Sequence, residues 1–149
     1  MSKKRTLEEW IEFYNSKVPV PFKRDERYKL LYVPEKGFCE IGMSGDMAIA
    51  KATCGDIHFW RAIIEQFAHQ NNLLKCGVIA CRKILPYIRL SGFKVDREEE
   101  TVDGTKYYCT SKMTGQKAQC SPAYFAPNGV LAYFVIWGVN ATDEEKTTI

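Results

Sequence analysis

The spacing of apolar and polar positions changes along the chain, and each change predicts an element. Leu7, Trp10, Ile11 and Tyr14 fall on one stripe at helical spacing. Thr6 precedes them and Glu9 follows three residues later, the pattern of a capping box, so a helix is expected to start at Thr6. The stretch VPVPF (18–22) ends it, because proline cannot continue the hydrogen-bond ladder. Three short apolar runs follow: YKLLYV (28–33), GFCEIGM (37–43) and DMAIAKAT (46–53). PEKG and SGD separate them with turn residues, which predicts an antiparallel meander.

At Asp56 the period becomes helical. Ile57, Trp60, Ile63, Ile64, Phe67 and Ala68 form a core-facing stripe that runs towards Asn72, with Asp56 as N-cap. His58, Arg61, Glu65 and His69 take the other face. GVIAC (77–81) is apolar throughout and predicts a central strand. A helix over 83–91, a strand in GFKVDREEE (92–100) and another in VDGTKYYCTSK (102–112) follow. Residues 113–128 are expected to be irregular, and the apolar run at 130–138 to be a buried strand. Residues 1–5 and 141–149 are expected to be flexible tails of a single domain, 1–149.

This order predicts an α/β fold: a mixed, mostly antiparallel sheet of about seven strands with helices on both faces. Strand–helix–strand–helix–strand in its middle predicts right-handed crossovers and local parallel pairing.

Apolar residues make up 46% of the chain, enough for a core, and the net charge of +3 is too small to argue for nucleic acid alone. KKR at 3–5 is the only basic run, so a nucleic-acid partner has thin support. An acidic amphipathic stretch follows the basic N-terminus where a secretory signal would need an apolar one. No window approaches the ~18 apolar residues of a membrane span. A cytoplasmic setting without a membrane partner is expected.

The six cysteines, at 39, 54, 76, 81, 109 and 120, form no Cys-x-x-Cys pair, which predicts reduced thiols. His58 and His69 lie about 16 Å apart along one helix and cannot share an ion, so no metal site is expected.

With IRLSGFKV (88–95) after the second crossover, residues 28–100 resemble the GNAT superfamily of N-acetyltransferases. In that family a three-strand meander leads into a long helix. A fifth strand, a short helix and a Gly-Phe opening the sixth strand follow. The resemblance implies acetyl coenzyme A as co-substrate, with its pantetheine arm between splayed fourth and fifth strands. It implies pyrophosphate on the amides that begin the long helix, where orphan N–H groups and the helix dipole favour anions. The family's phosphate loop, Gln/Arg-x-x-Gly-x-Gly/Ala, falls here on KATCGDIHFW, which keeps Gly55 and has Lys51 nearby. The cofactor-binding candidates are then Lys51, Thr53, Cys54, Gly55, Ile57 and His58. Asp56 puts a carboxylate where the phosphate would sit.

The position of the family's proton-donating tyrosine falls on Ile88, with Tyr87 one residue away and about 100° around the helix. The family's strand–helix asparagine falls on Cys81. Glu40 lies where the family sometimes places a base. The catalytic candidates are therefore Tyr87, Glu40 and Cys81. Tyr107-Tyr108 and Tyr124-Phe125 fall where an acceptor-side wall would be, and DREEE (96–100) is suited to attract a cationic amine.

The implied function is N-acylation of an amine, borne by a small molecule, a protein or a modified base. The compact size and altered loop also resemble short, divergent acetyltransferase-like proteins of phages. Some of those are associated with virions or with base modification. That likeness implies the alternative of a non-catalytic binding protein with an eroded coenzyme A site, working in a host cytoplasm.

Overall fold

The structure, a computed structural model, describes residues 4–18, 21–80, 83–125, 129 and 131–139. Helix α1 spans Leu7–Lys17. Thr6 Oγ1 accepts the Glu9 N–H at 3.1 Å and Glu9 Oε1 accepts the Thr6 N–H at 2.8 Å, so the capping box closes. The meander follows as β1 (Lys29–Val33), β2 (Gly37–Ser44) and β3 (Met47–Gly55). Helix α2 is Ile57–Gln70, β4 is Lys75–Ala80 and α3 is Ile84–Leu90. Four strands complete the described fold: β5 (Phe93–Thr101), β6 (Gly104–Ser111), β7 (Lys117–Phe125) and β8 (Leu131–Gly138).

The fold is α+β. One open sheet runs in the order β1-β2-β3-β4-β8-β7-β6-β5, and among the described strands only β3 and β4 pair in parallel. Eight strands replace the expected seven, because β7 occupies much of the segment expected to be irregular. Pro122 disguises it. The β6–β7 pairing stops at Tyr107↔Cys120, and the β7–β8 register shifts between Pro122 and Tyr124. Proline is tolerated in such a one-sided, bulged stretch. The second crossover also differs from expectation. It carries β5 to the far edge of the sheet, with β8, β7 and β6 between it and β4.

Successive side chains of a strand point to opposite faces, so Phe38 and Cys39 divide the interior in two. Phe38 joins Trp10, Ala52 and Cys54 beneath α1. Cys39 joins Ile41, Ala48, Ala50, Trp60 and Ile64 beneath α2, in a core that extends to α3 and β5–β8. Helices therefore cover both faces of the meander.

Arg61 departs from its expected polar face and is only 4% exposed. Its Nη1 donates to Ser91 O and its Nη2 to Ser111 Oγ, both at 2.8 Å. The guanidinium also stacks 4.3 Å from the centre of the Phe93 ring. Arg61 thereby ties α2 to the turn that ends α3. That turn explains the sequence SGF: Ser91 caps α3, Gly92 adopts φ +83°, and Phe93 enters the core as β5 begins. A Cβ at Gly92 would lie 3.3 Å from Arg61 Nη1, so the arginine needs both the turn and the missing side chain.

Candidate functional site

The site begins with one extra residue in β3. Ile41 pairs with Ala50 but Glu40 pairs with Ala52, so Lys51 is bulged out of the ladder. The bulge changes which core the strand serves. Ala48 and Ala50 face α2, whereas Ala52 and Cys54 face α1. It also turns β3 away from β4. Their parallel pairing joins residues 47–50 to 75–78 and stops, although β3 continues to Gly55 and β4 to Ala80. A slot opens between the strand ends.

On the α2 side, Thr53, Ile57, Arg61, Val78, Tyr87 and Ser91 line a void of about 10 Å³ at this slot. That is about the room one water needs. Tyr87 is thus brought beside the diverging strands with 9% exposure, and Ile88 is buried next to it.

A larger cavity, about 300 Å³, lies where β3 gives way to α2. Cys54, Gly55, Ile57 and His58 line it, with Lys17 from the end of α1 and Leu90 from the end of α3. Four of the six cofactor-binding candidates therefore share one pocket. Thr53 reaches the adjoining small void, which shares Ile57. Lys17 is a cation that no pattern in the sequence assigned to this pocket.

Two glycines fix the pocket's floor. Gly37 and Gly55 pair across β2 and β3, each with φ +106°. A Cβ on Gly37 would come within 1.9 Å of Cys54 O, and one on Gly55 within 2.0 Å of Lys36 O. Lys36 O then accepts the Asp56 N–H at 2.9 Å and the Trp60 indole N–H at 2.8 Å. These bonds set the start of α2. Asp56 caps it as expected, with Oδ1 accepting the Phe59 N–H at 3.0 Å. Its Oδ2 lies 3.2 Å from Lys36 Nζ. The Phe59 N–H, with a smaller contribution from Lys36, holds the Asp56 carboxyl below its ordinary range.

On the α1 side, Tyr14, Phe22, Glu40, Lys51, Ala52 and Ile79 line a cavity of about 250 Å³, with Lys23 and Tyr124 at its walls. Glu40 is 1% exposed. Its Oε2 accepts from Arg24 Nη1 and from the Asp25 N–H, both at 2.8 Å. Its Oε1 is enclosed and has no hydrogen-bond partner among the described residues. An unmet buried acceptor costs about 1–3 kcal/mol, so it calls for an explanation. Lys51 sits with Glu40 rather than with the pocket at the start of α2, and its Nζ lies 2.7 Å from Asp25 Oδ2. Arg27 and then Lys51 hold the Asp25 carboxyl well below the usual range.

The remaining candidates are scattered. Cys81 lies outside the described residues. Tyr107 is buried in the core, while Tyr108 carries the Arg97 guanidinium 3.7 Å from its ring centre. Tyr124 lines the α1-side cavity, Phe125 is exposed, and residues 96–100 lie on the edge strand β5. Cys39, Cys54, Cys76, Cys109 and Cys120 are buried and unbridged, and burial pushes the Cys39 and Cys76 thiols up to about 12. Among the described residues no group of three His, Cys, Asp or Glu could hold a metal. Among them, too, no helix is long and apolar enough to cross a membrane. No protein-family model, curated protein or solved structure matches the chain.

Proposed function

We propose that the protein is an N-acyltransferase of GNAT type that transfers acetyl from acetyl coenzyme A to an amine. The observation that carries this reading is the parting of β3 from β4 after Ala50 and Val78, with one cavity where α2 begins and another on the α1 side of the slot. The backbone of β3 beyond Lys51 offers groups to an extended pantetheine arm, as a strand edge offers them to a peptide. Lys17, His58 and the first amides of α2 suit the diphosphate. The ion pair with Lys36 offsets the charge that Asp56 adds there. Thr53 and Tyr87 flank the point where the thioester would reach the slot.

In this reading the amine enters from the α1 side and attacks the thioester carbonyl through its nitrogen lone pair. Glu40 takes the amine proton, and the Tyr87 phenol protonates the departing thiolate. A second reading keeps the scaffold for binding alone. Asp56 favours it, since its carboxylate already occupies the Phe59 amide.

A thermal shift with coenzyme A, paired with an acetyl-transfer assay on mixed amines, separates the two. Ligand at 100 times its dissociation constant should add about 2.7 kcal/mol of stability. A shift with no transfer supports the binding protein. No shift at millimolar coenzyme A sinks the acyltransferase reading.

A further inference from the structure

The cavity on the α1 side has an uneven distribution of charge. Glu40 is paired with Arg24 through Oε2, and Lys51 shares the Asp25 carboxylate with Arg27. One buried acceptor and one solvent-exposed cation are left without a protein partner among the described residues. Glu40 Oε1 is a buried acceptor without a donor, and the Lys23 ammonium has no carboxylate partner among the described residues. The walls between them are apolar or aromatic: Tyr14, Phe22, Ala52, Ile79 and Tyr124.

Those features discriminate among amines. A polyamine would satisfy Glu40 but bring further positive charge towards Lys23 and Lys51. A neutral apolar molecule would leave both unmet groups as they are. A compact molecule with an amine at one end and a carboxylate at the other satisfies Glu40 Oε1 with an N–H and Lys23 with an anion. We infer that the cavity takes an amino carboxylate with an apolar body, its nitrogen at Glu40 and its carboxylate at Lys23. As an acceptor assignment this rests on the acyltransferase reading; as a binding site it does not. The nitrogen would then lie on the Ala52–Ile79 side of the slot, with Thr53 and Val78 towards the other face.

The test is calorimetric titration of the full chain without cofactor at neutral pH and low salt. The probes are L-phenylalanine, phenethylamine and spermidine. Phenylalanine is expected to bind at least about fivefold tighter than phenethylamine, the scale of one exposed ion pair, and spermidine more weakly than either. Lys23→Ala should weaken phenylalanine by that same factor and leave phenethylamine unchanged. Glu40→Gln should weaken both amines about tenfold or more, as loss of a charged hydrogen bond does. Far-UV circular dichroism checks that this variant folds, and the surface variant Lys23→Ala decides the matter if it does not. Equal or tighter binding of phenethylamine or spermidine overturns the assignment. So does an unchanged phenylalanine affinity in Lys23→Ala, or no saturable binding of phenylalanine. The coenzyme A shift is read separately, so failure of the acyltransferase reading leaves this result standing.

Discussion

Residues 47–50 and 51–55 belong to the same strand and share the same alternation of small apolar side chains, yet they do different work. The first length pairs with β4 and sends Ala48 and Ala50 into the α2 core. The second leaves β4 and sends Ala52 and Cys54 into the α1 core. The difference is a single bulged residue, Lys51, at the point where register shifts. A strand thus serves as wall in one half and as one lip of an open slot in the other, with small side chains facing a core in both.

The largest expected effect comes from closing the glycine crossing that anchors the diverging half. Gly37→Ala adds a Cβ within 1.9 Å of a backbone oxygen at a φ of +106°. Nothing flexible can yield there. The variant should lose about 3 kcal/mol or more in urea unfolding, because strain and overlap act together. The same substitution at Gly45 meets nothing within 4 Å and carries only the strain of a positive φ, so its loss should be clearly smaller. Similar losses at both positions would remove the crossing as an anchor.

Tyr87→Phe probes the other lip. If the phenol protonates the thiolate, turnover should fall by about 10²–10⁴ with little change in melting temperature. Tyr87 is buried but borders the slot, so the two readouts separate chemistry from packing. Acetyl transfer at the wild-type rate would rule out the phenol as donor.

Much of the architecture was legible because local chemistry decided it. Thr6 and Glu9 cap α1 through their own side chains, and Asp56 caps α2 in the same way. The slot was not legible. Alanine at 48, 50 and 52 and cysteine at 54 read as unbroken alternation, and no side chain announces that Lys51 leaves the ladder. Arg61 was misread for a related reason: helical spacing records polarity, not the distant partners Ser91 and Ser111 that make burial affordable. The burial of Glu40 was not legible either, because its partners, Arg24 and Asp25, lie in a segment with no periodicity. Of the cofactor candidates, Cys54, Gly55, Ile57 and His58 share one pocket, Thr53 lines the adjoining void, and Lys51 at the bulge lines the α1-side cavity.

Deleting Lys51 tests the comparison directly. Without it, Ala50 and Ala52 become neighbours opposite Ile41 and Glu40, so every other side chain keeps its face. The pair with Asp25 and the contact of Lys51 Nζ with the Tyr28 ring, 5.6 Å from its centre, are lost, each worth about 1 kcal/mol or less. The variant should therefore fold with similar stability, while the straightened strand extends its pairing with β4. Coenzyme A affinity should fall about tenfold or more, read as a thermal shift cut to about half or less at the same concentration. Undiminished binding would show that the bulge does not make the slot.

The smallest effect is expected at Asp56, and its sign depends on what is measured. Asparagine is as good an N-cap as aspartate, so Asp56→Asn should keep the bond to Phe59 and cost under about 1 kcal/mol. What disappears is the carboxylate charge beside the helix dipole and Lys36. Because the folded carboxyl is held below its unfolded range, that charge stabilises the fold above the unfolded pKa. The contribution is lost as pH falls through the folded pKa. Urea unfolding should show wild type slightly more stable at pH 7, and the gap should vanish in strong acid. Coenzyme A affinity should move the other way at pH 7, since the asparagine variant no longer sets a negative charge against the diphosphate. A variant that is less stable at pH 7 yet binds coenzyme A more tightly would place the diphosphate at the start of α2. Weaker or unchanged binding would move it elsewhere along the cavity and leave Asp56 as a cap alone.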